Sequence, residues 1–153
     1  MSVFVRVATA DDQQPIVRIV HAARINPSGL RWPQFVVAQR AGAIIGVGQV
    51  KQHRDGSREL ASIAVVPECQ GQGIGSVIIR ALLLRERRPL YLMTATHNEG
   101  FYQRFGFCVI SPAALPRSLA FEMCVGRLYI GLRSRLEGKP ERLIAMRRSD
   151  PAV

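Results

Sequence analysis

The sequence lacks most of the features that mark membrane-spanning, secreted or metal-binding proteins. No apolar run approaches the ~20 residues that a membrane-spanning helix needs. The first residues, MSVFVRVATADD, lack the basic start and the apolar stretch of a secretory signal. The three cysteines (Cys69, Cys108 and Cys124) form no C-x-x-C pair, and no metal-ligand spacing occurs. We therefore expect a cytoplasmic protein with free thiols, no metal and no membrane partner.

Acidic residues are also scarce. The chain has 11 aspartates and glutamates against 21 lysines and arginines, which gives a formal net charge of +10. Such a surplus suits non-specific binding of nucleic acid, and it equally suits the attraction of a polyanionic ligand to a cleft. The arginines are scattered and form no basic block interleaved with aromatic residues. Nucleic acid is therefore not the partner that we expect, although charge alone does not distinguish it from a polyanionic ligand.

Length and composition fit one globular domain. The 153 residues are 48% hydrophobic and 21% charged, and we expect a single domain over 1–153 with a frayed end at 149–153. The apolar periodicity is typical of an α/β chain. Strands are predicted at 3–8, 35–40, 43–51, 60–66, 90–95, from 107 and at 141–148, and helices after Thr9 and at 76–87, 98–106 and 112–137.

A glycine-rich turn after the strand at 60–66 is the most informative stretch. Pro67 ends that strand because it has no amide proton for a neighbouring strand. Three glycines then leave room for an anion, and the helix that follows places positive partial charge at its amino end. The sequence therefore predicts a phosphate cradle. Its residues are Gln70, Gly71, Gln72, Gly73, Ile74, Gly75 and Ser76.

The spacing of these glycines distinguishes between the known classes of phosphate-binding loop. The dinucleotide-binding pattern G-x-G-x-x-G does not fit, and the absence of any lysine between Lys51 and Lys139 excludes the Walker A loop. The pattern Q-x-x-G-x-G at 70–75, preceded by V-x-P at 65–67, does fit. It resembles motif A of the GNAT superfamily of acetyl-CoA-dependent N-acetyltransferases. In that family this loop holds the pyrophosphate of coenzyme A.

A second stretch, NEGFYQRFGF at 98–107, resembles motif B of the same superfamily, N-x-x-x-Y-x-x-x-G-F. Two motifs in the family's order are more specific than either alone, and the resemblance covers roughly residues 3–110. It implies an α/β (α+β) fold with a mixed, mainly antiparallel central sheet flanked by helices. The middle strands of that sheet would splay apart.

The resemblance also implies how acetyl-CoA binds as co-substrate. The pantetheine arm would lie between the strands at 60–66 and 90–95. Asn98 would bond the pantetheine amides, and Phe101 and Tyr102 would line the same site. The hydroxyl of Tyr102 would face the sulfur and protonate the departing thiolate. The expected main-chain contacts are Ala64, Val65 and Val66.

The general base is predicted at Glu59, which resembles in position a strand glutamate that activates the amine in some members of the family. Strand alternation places Glu59 on one face with Ala61, Ile63 and Val65. The alternative is a solvated carboxylate paired with Arg58 or Arg54. His97 and Glu122 are reserve candidates for the base, many members of the family use none, and His21 and His53 are most simply solvated.

The segment after residue 110 exceeds the minimal family pattern. It predicts an amphipathic helix, which either covers the core, makes a dimer contact or forms a wall of the acceptor site. Its apolar residues are Leu115, Leu119, Phe121, Val125, Leu128, Leu132 and Leu136.

Together these features predict an N-acetyltransferase that moves acetyl from acetyl-CoA directly to a primary amine. The amine belongs to a small molecule or to a protein amino group, and a small polyamine is disfavoured because carboxylates are few. A homodimer is possible. Two alternatives stay open, a non-catalytic acyl-CoA-binding sensor or regulatory module and a basic protein associated with nucleic acid.

Overall fold

The computed structural model describes residues 2–149, so the predicted fraying at 150–153 lies outside the described residues. This part of the chain contains seven strands and four α-helices, with short 3-10 turns between some of them. The strands are β1 (Phe4–Val7), β2 (Phe35–Arg40), β3 (Ala43–Gln52), β4 (Arg58–Val65), β5 (Leu90–Ala95), β6 (Cys108–Ile110) and β7 (Leu143–Arg148). The helices are α1 (Gln13–Ala22), α2 (Ile74–Leu83), α3 (Glu99–Gln103) and α4 (Arg117–Glu137).

The strands form one sheet in the order β1-β2-β3-β4-β5-β7-β6. The pairs β1–β2, β2–β3, β5–β7 and β6–β7 are antiparallel. The pair β4–β5 is parallel, with Arg58 opposite Leu90 and Glu59 opposite Tyr91. The prediction of a mixed, mainly antiparallel sheet flanked by helices is therefore confirmed.

The described chain forms two compact units, and the prediction of a single domain stays a prediction. The first unit comprises described residues within 1–51 and 60–87. Its core joins α1 to the strands through Ile16, Val20, Phe35 and Val47, which are all buried. Helix α2 packs closely on β3, because a Cβ at Gly48 would lie only 2.6 Å from Cγ2 of Ile78. A Cβ at Gly46 would lie 3.2 Å both from Cγ2 of Ile74 and from the carbonyl oxygen of Ala64, so the amino end of α2 lies beside the end of β4.

The second unit comprises described residues within 52–59 and 88–153. Strand β5 pairs with β7 along its whole length, from Leu90 opposite Arg148 to Ala95 opposite Leu143. The first half of α4 covers this pair with the buried side chains of Leu119 and Met123. The unit therefore has a core of its own beneath α4.

Three predicted helices differ from the structure. Helix α2 ends at Leu83 and not near Arg87, since a turn at Leu84–Arg85 follows it. Helix α3 covers Glu99–Gln103 and not the predicted 98–106. Helix α4 ends at Glu137 as predicted but begins at Arg117, because a 3-10 turn occupies Pro112–Ala114, and its apolar stripe does not cover a core along its length. Only Leu115 and Leu119 of the stripe are buried. The exposed members are Phe121, Val125, Leu128, Leu132 and Leu136.

Helical periodicity shows which residues share a face, but it does not show whether another element covers that face. An exposed apolar stripe is compatible with the predicted homodimer but does not test it, so the homodimer stays a prediction. Among the described residues, no helix combines the length and the apolar character needed to cross a membrane.

Candidate functional site

The predicted cradle forms the junction between β4 and α2 in the first unit. Gly73 has a left-handed backbone with φ of 78° and precedes the first helical residue, Ile74. The first main-chain bond of α2 runs from the N–H of Val77 to the carbonyl oxygen of Gly73, at 3.1 Å. The N–H groups before Val77 therefore have no acceptor within the helix. Their orientation at a helix amino end suits an anion.

The space beside the cradle is open. A Cβ built at Gly71 or at Gly73 would meet no other atom within 4 Å, and both glycines are exposed. Both have a positive φ, at 74° and 78°, a conformation that other residues adopt only with strain. The geometry therefore fits a phosphate group that approaches the main chain closely.

Gln70 ties the cradle to the end of β4. Its side-chain amide donates a hydrogen bond to the carbonyl oxygen of Val65 at 3.0 Å. The main chain of Val66 is already bonded on both sides, since its N–H donates to Ile45 and its carbonyl accepts from Cys69, each at 2.9 Å. Main-chain groups of successive strand residues face opposite edges. Of these two residues, Val65 is thus the one that faces away from β3.

The structure adds Arg40, a residue that the sequence did not indicate. Its guanidinium donates to the side-chain oxygen of Gln72 at 2.8 Å and lies 3.8 Å from the sulfur of Cys69. Its Nε is buried and has no hydrogen-bond partner among the described atoms. Arg40 ends β2, 30 residues before Gln70 in the sequence, so no local motif could link it to the cradle. It places a permanent positive charge beside the cradle.

A cavity of about 690 Å³ adjoins the start of the cradle within the first unit. It lies between α1, the β2–β3 turn and the end of β4, where Val65, Val66 and Gln70 line it. The exposed Arg18 of α1 lines the opposite side. Three of the predicted cofactor residues therefore border one cavity that also carries an arginine.

Asn98 and Tyr102 lie around α3 in the second unit. The side-chain amide of Asn98 donates to the hydroxyl of Thr94 at 3.1 Å, which ties the start of α3 to β5. The Tyr102 ring packs edge-on against Phe101 and Phe107, with centroids 5.1 and 6.2 Å away. These contacts hold both predicted side chains in fixed positions.

Burial raises the pKa of Tyr102 from 10.0 to about 12. The phenol therefore keeps its proton throughout the neutral range. A protonated hydroxyl can donate a hydrogen bond or a proton, and it cannot serve as a base there. The chemistry of this group suits the predicted acid.

Glu59 is buried, so it is not the solvated carboxylate of the alternative prediction. Only 7% of its side chain is exposed, and its Oε2 lies 2.9 Å from Nε2 of His53. The prediction that His53 is solvated is also wrong, because only 10% of its side chain is exposed. The predicted alternation of β4 is also interrupted, because Ser62 has a positive φ of 56°. A residue in this conformation breaks the extended backbone between Glu59 and Ile63.

Glu122 lies on the other side of the same imidazole, with its Oε1 3.7 Å from Nδ1 of His53. His97, the other reserve candidate, is 65% exposed and pairs loosely with Glu141 at 3.7 Å. Ligand atoms of His53, Glu59 and Glu122 lie within 4.8 Å of one another, and this is the one such group among the described residues. The two carboxylates face different ring nitrogens, whereas one ion bonds to one nitrogen of an imidazole. The arrangement therefore does not favour a common metal ion.

The family model described as Acetyltransferase (GNAT) domain matches residues 31–109, just over half of the chain. The chain belongs to the GNAT acetyltransferase family. The matched residues include the cradle, Glu59, Asn98 and Tyr102. The prediction of this family is thus confirmed.

Solved structures share the GNAT fold. N-acetylglutamate synthase from Neisseria gonorrhoeae, complexed with coenzyme A and N-acetyl-glutamate, is 19% identical with a TM-score of 0.75 over 99% of this chain and 36% of its own. Rv2747 from Mycobacterium tuberculosis, complexed with CoA, is 23% identical with a TM-score of 0.70. The match covers 95% of this chain and 98% of Rv2747. The ribosomal-protein-S18-alanine N-acetyltransferase from Escherichia coli is 16% identical with a TM-score of 0.68. The match covers 99% of this chain and 96% of that enzyme.

This GNAT chain spans about a third of the length of the Neisseria synthase. No curated protein matches it in sequence. At these identities the solved structures establish the fold, and the acceptor has to be argued from the site itself.

Proposed function

We propose that the protein transfers acetyl from acetyl-CoA directly to a primary amine. The observation that carries this proposal is the open cradle at Gly71 and Gly73, at the amino end of α2 in a chain of the GNAT family. Main-chain N–H groups at a helix amino end bind phosphate oxygens through hydrogen bonds and through the helix dipole. The cradle would hold the pyrophosphate of coenzyme A.

Positive charge supports the same site. The guanidinium of Arg40 bonds to Gln72 of the cradle, and Arg18 lines the adjoining cavity. Two arginines at the approach to a phosphate site raise the local concentration of a polyanionic ligand. This gives part of the net charge of +10 a role that needs no nucleic acid.

The pantetheine arm would contact β4 and α3. Among the predicted main-chain contacts we favour the N–H of Val65, because both main-chain groups of Val66 and the carbonyl of Val65 are bonded within the protein. By the same strand alternation the main-chain groups of Ala64 face β3, so Ala64 is not the favoured contact. Asn98 would use its side-chain oxygen and its second N–H, since one N–H of its amide already donates to Thr94. The aromatic ring of Phe101 would line the arm.

When bound, acetyl-CoA supplies an activated acyl group on a thiolate leaving group. The residues of the chain would orient it and move protons around it. Glu59 would accept a proton from the amine at its carboxylate. The hydroxyl of Tyr102, which remains protonated, would supply a proton to the sulfur.

The acceptor class is narrowed by the site. A buried carboxylate at Glu59, with Glu122 nearby, suits an ammonium group that must lose a proton. The similar solved proteins carry names that refer to N-acetyl-glutamate and to the alanine of ribosomal protein S18. We therefore propose an α-amino group, of an amino acid or of a protein chain, as the first acceptor class to test.

The test is release of free coenzyme A thiol from acetyl-CoA in the presence of glutamate, other amino acids and peptides with a free amino terminus. The same peptides with a blocked amino terminus are the matched control. Acceptor-dependent thiol release, with acetylated product found by mass spectrometry, is the expected result. Binding of acetyl-CoA without turnover on any amine would instead mark a sensor or regulatory module.

A further inference from the structure

The imidazole of His53 lies between two carboxylates that come from different elements. Its Nε2 is 2.9 Å from Oε2 of Glu59 on β4, and its Nδ1 is 3.7 Å from Oε1 of Glu122 on α4. The exposed side-chain fractions are 7% at Glu59, 10% at His53 and 28% at Glu122. We propose that His53 and Glu122 are positioning residues that form a proton relay from Glu59 to solvent. This inference rests on the proposed function.

The backbone fixes the position of His53. Its N–H donates to the carbonyl of Ser57 at 2.9 Å, and its carbonyl accepts from Gly56 at 3.0 Å, so His53 belongs to a tight turn between β3 and β4. The carboxylate of Asp55 in this turn accepts a hydrogen bond from the N–H of Ser118, at 3.0 Å. The turn is thereby attached to the first turn of α4.

This attachment also places Glu122. The bond from Ser118 brings the amino end of α4 to the turn of His53, and Glu122 lies about one helical turn further along. The contact between Nδ1 of His53 and Glu122 is therefore a consequence of the fold.

A neutral imidazole carries a proton on one nitrogen and accepts a hydrogen bond at the other. With one carboxylate on each nitrogen, a proton accepted at Nε2 can be matched by a proton released at Nδ1. The first distance is that of a direct hydrogen bond, and the second is longer, so the second transfer needs a small movement of Glu122. The relay thus has a direction, from the buried strand towards the surface.

Glu122 has the properties of the last member of such a relay. Its Oε2 is buried and has no hydrogen-bond partner among the described atoms. A buried oxygen without a donor keeps its capacity to accept a hydrogen bond. The rest of the side chain is partly exposed, which gives a relayed proton a route to water.

The protons and bonds of the reaction balance. The carbon–nitrogen bond forms as the carbon–sulfur bond breaks, and the ammonium group loses two protons in becoming an amide. One proton ends on the sulfur through Tyr102, whose hydroxyl is then restored. The other passes from the protonated Glu59 to the unprotonated Nε2 of His53, while Nδ1 releases its proton to Glu122 and water. The imidazole then regains its starting tautomer by exchange with water, losing the proton at Nε2 and taking one at Nδ1, so that every group is restored. No oxidant or reductant is needed.

The test measures kcat and KM for His53→Gln, Glu59→Gln, Glu122→Gln and the double variant of His53 and Glu59. A glutamine at 53 keeps a hydrogen-bonding group but cannot pass a proton. We expect kcat of His53→Gln to fall by about 10–100-fold, with KM for acetyl-CoA unchanged. Because His53 acts through Glu59, the double variant should be no slower than Glu59→Gln alone. His21→Gln, an exposed histidine on α1, is the matched control.

A second readout distinguishes the loss of the relay from a general loss of folding. His53→Ala should regain turnover when imidazole is added, in proportion to its concentration, whereas a purely structural loss would not respond. Glu122→Gln, at a partly exposed position, should lower kcat in the same direction. Thermal melting of each variant shows whether the fold is kept.

Full kcat in His53→Gln, or losses that multiply in the double variant, would overturn the relay and leave the proposed function standing. Stoichiometric Zn²⁺ binding that His53→Gln and Glu59→Gln each abolish, with activity lost on chelation, would overturn the relay in favour of a metal site. A wild-type protein that neither binds acetyl-CoA nor releases its thiol would overturn both proposals together.

Discussion

The side-chain amide of Gln70 donates a hydrogen bond to the carbonyl oxygen of Val65, 3.0 Å away. This bond crosses the turn between β4 and α2 and holds the first residue of the cradle against the strand that precedes it. A cradle binds phosphate well only when its N–H groups are already aimed at one point. We expect Gln70→Ala to raise the Kd for acetyl-CoA about 5-fold, since one hydrogen bond contributes about 1 kcal/mol. Calorimetric titration measures this, and Gln14→Ala on the exposed part of α1 should leave the Kd unchanged.

Arg40 should contribute to binding of the phosphates through its charge. Replacement by glutamine keeps a polar side chain beside Gln72 and removes the positive charge. We expect the Kd for acetyl-CoA to rise about 10-fold, as for the loss of one charge-assisted hydrogen bond, and to depend less on salt. Titrations at low and high ionic strength measure both effects. An unchanged Kd and salt dependence would exclude Arg40 from the site, and Arg85→Gln is the exposed control.

Tyr102→Phe should slow the chemical step and spare binding. The ring contacts with Phe101 and Phe107 are kept, and only the hydroxyl is lost. We expect kcat to fall at least about 100-fold with the Kd for acetyl-CoA unchanged. Because burial raises the pKa of Tyr102 to about 12, the wild-type enzyme should lose no activity through this group up to about pH 11. Tyr129→Phe on the exposed face of α4 is the control, and equal losses in the two variants would contradict the assigned role.

The pair formed by Arg6 and Asp12 should govern stability in acid. The Arg6 guanidinium donates to both carboxylate oxygens, at 2.6 and 3.0 Å, and lowers the pKa of Asp12 from 3.8 to about 2. A folded-state pKa below the unfolded value gives stability that is present above about pH 4 and is lost as the pH falls towards 2. We expect this contribution to be about 1–2 kcal/mol, allowing for solvent at the partly exposed Arg6.

Chemical denaturation between pH 2 and pH 7 checks the size and the sign of this effect. Asp12→Asn should be less stable than wild type at neutral pH, and the difference should shrink on acidification. Asp11→Asn, the exposed neighbour, should follow the wild-type curve. A constant difference between Asp12→Asn and wild type at all pH values would contradict the assignment.

Several strands and the cradle could be predicted from the sequence because their signals are local. The hairpin strand at 35–40 and the strand at 90–95 have the predicted bounds, and Pro67 follows the end of β4 as expected. The glycine spacing also located the cradle. Each of these features depends on backbone chemistry within a few residues.

The contacts around Glu59 could not be predicted because they join distant parts of the chain. His53 and Glu122 are 69 positions apart, and nothing in either segment indicates the other. Arg40 reaches the cradle in the same way, across the first unit. The end of α2 was misplaced because arginine and proline near Arg87 suit a helix end, while the helix stops at Leu83. The exposed stripe of α4 shows that periodicity alone does not reveal what covers a face.

The measurement that tests the account most directly is calorimetric titration of acetyl-CoA into wild type, Gly73→Glu and Gly138→Glu. Both glycines have a positive φ and open space around them, at 78° and 66°, so the two substitutions add the same strain and charge. Only Gly73 lies in the cradle. We predict micromolar binding by wild type and by Gly138→Glu, and none by Gly73→Glu. Absence of binding in wild type, or binding that Gly73→Glu leaves intact, would contradict the assignment of the cradle to acetyl-CoA.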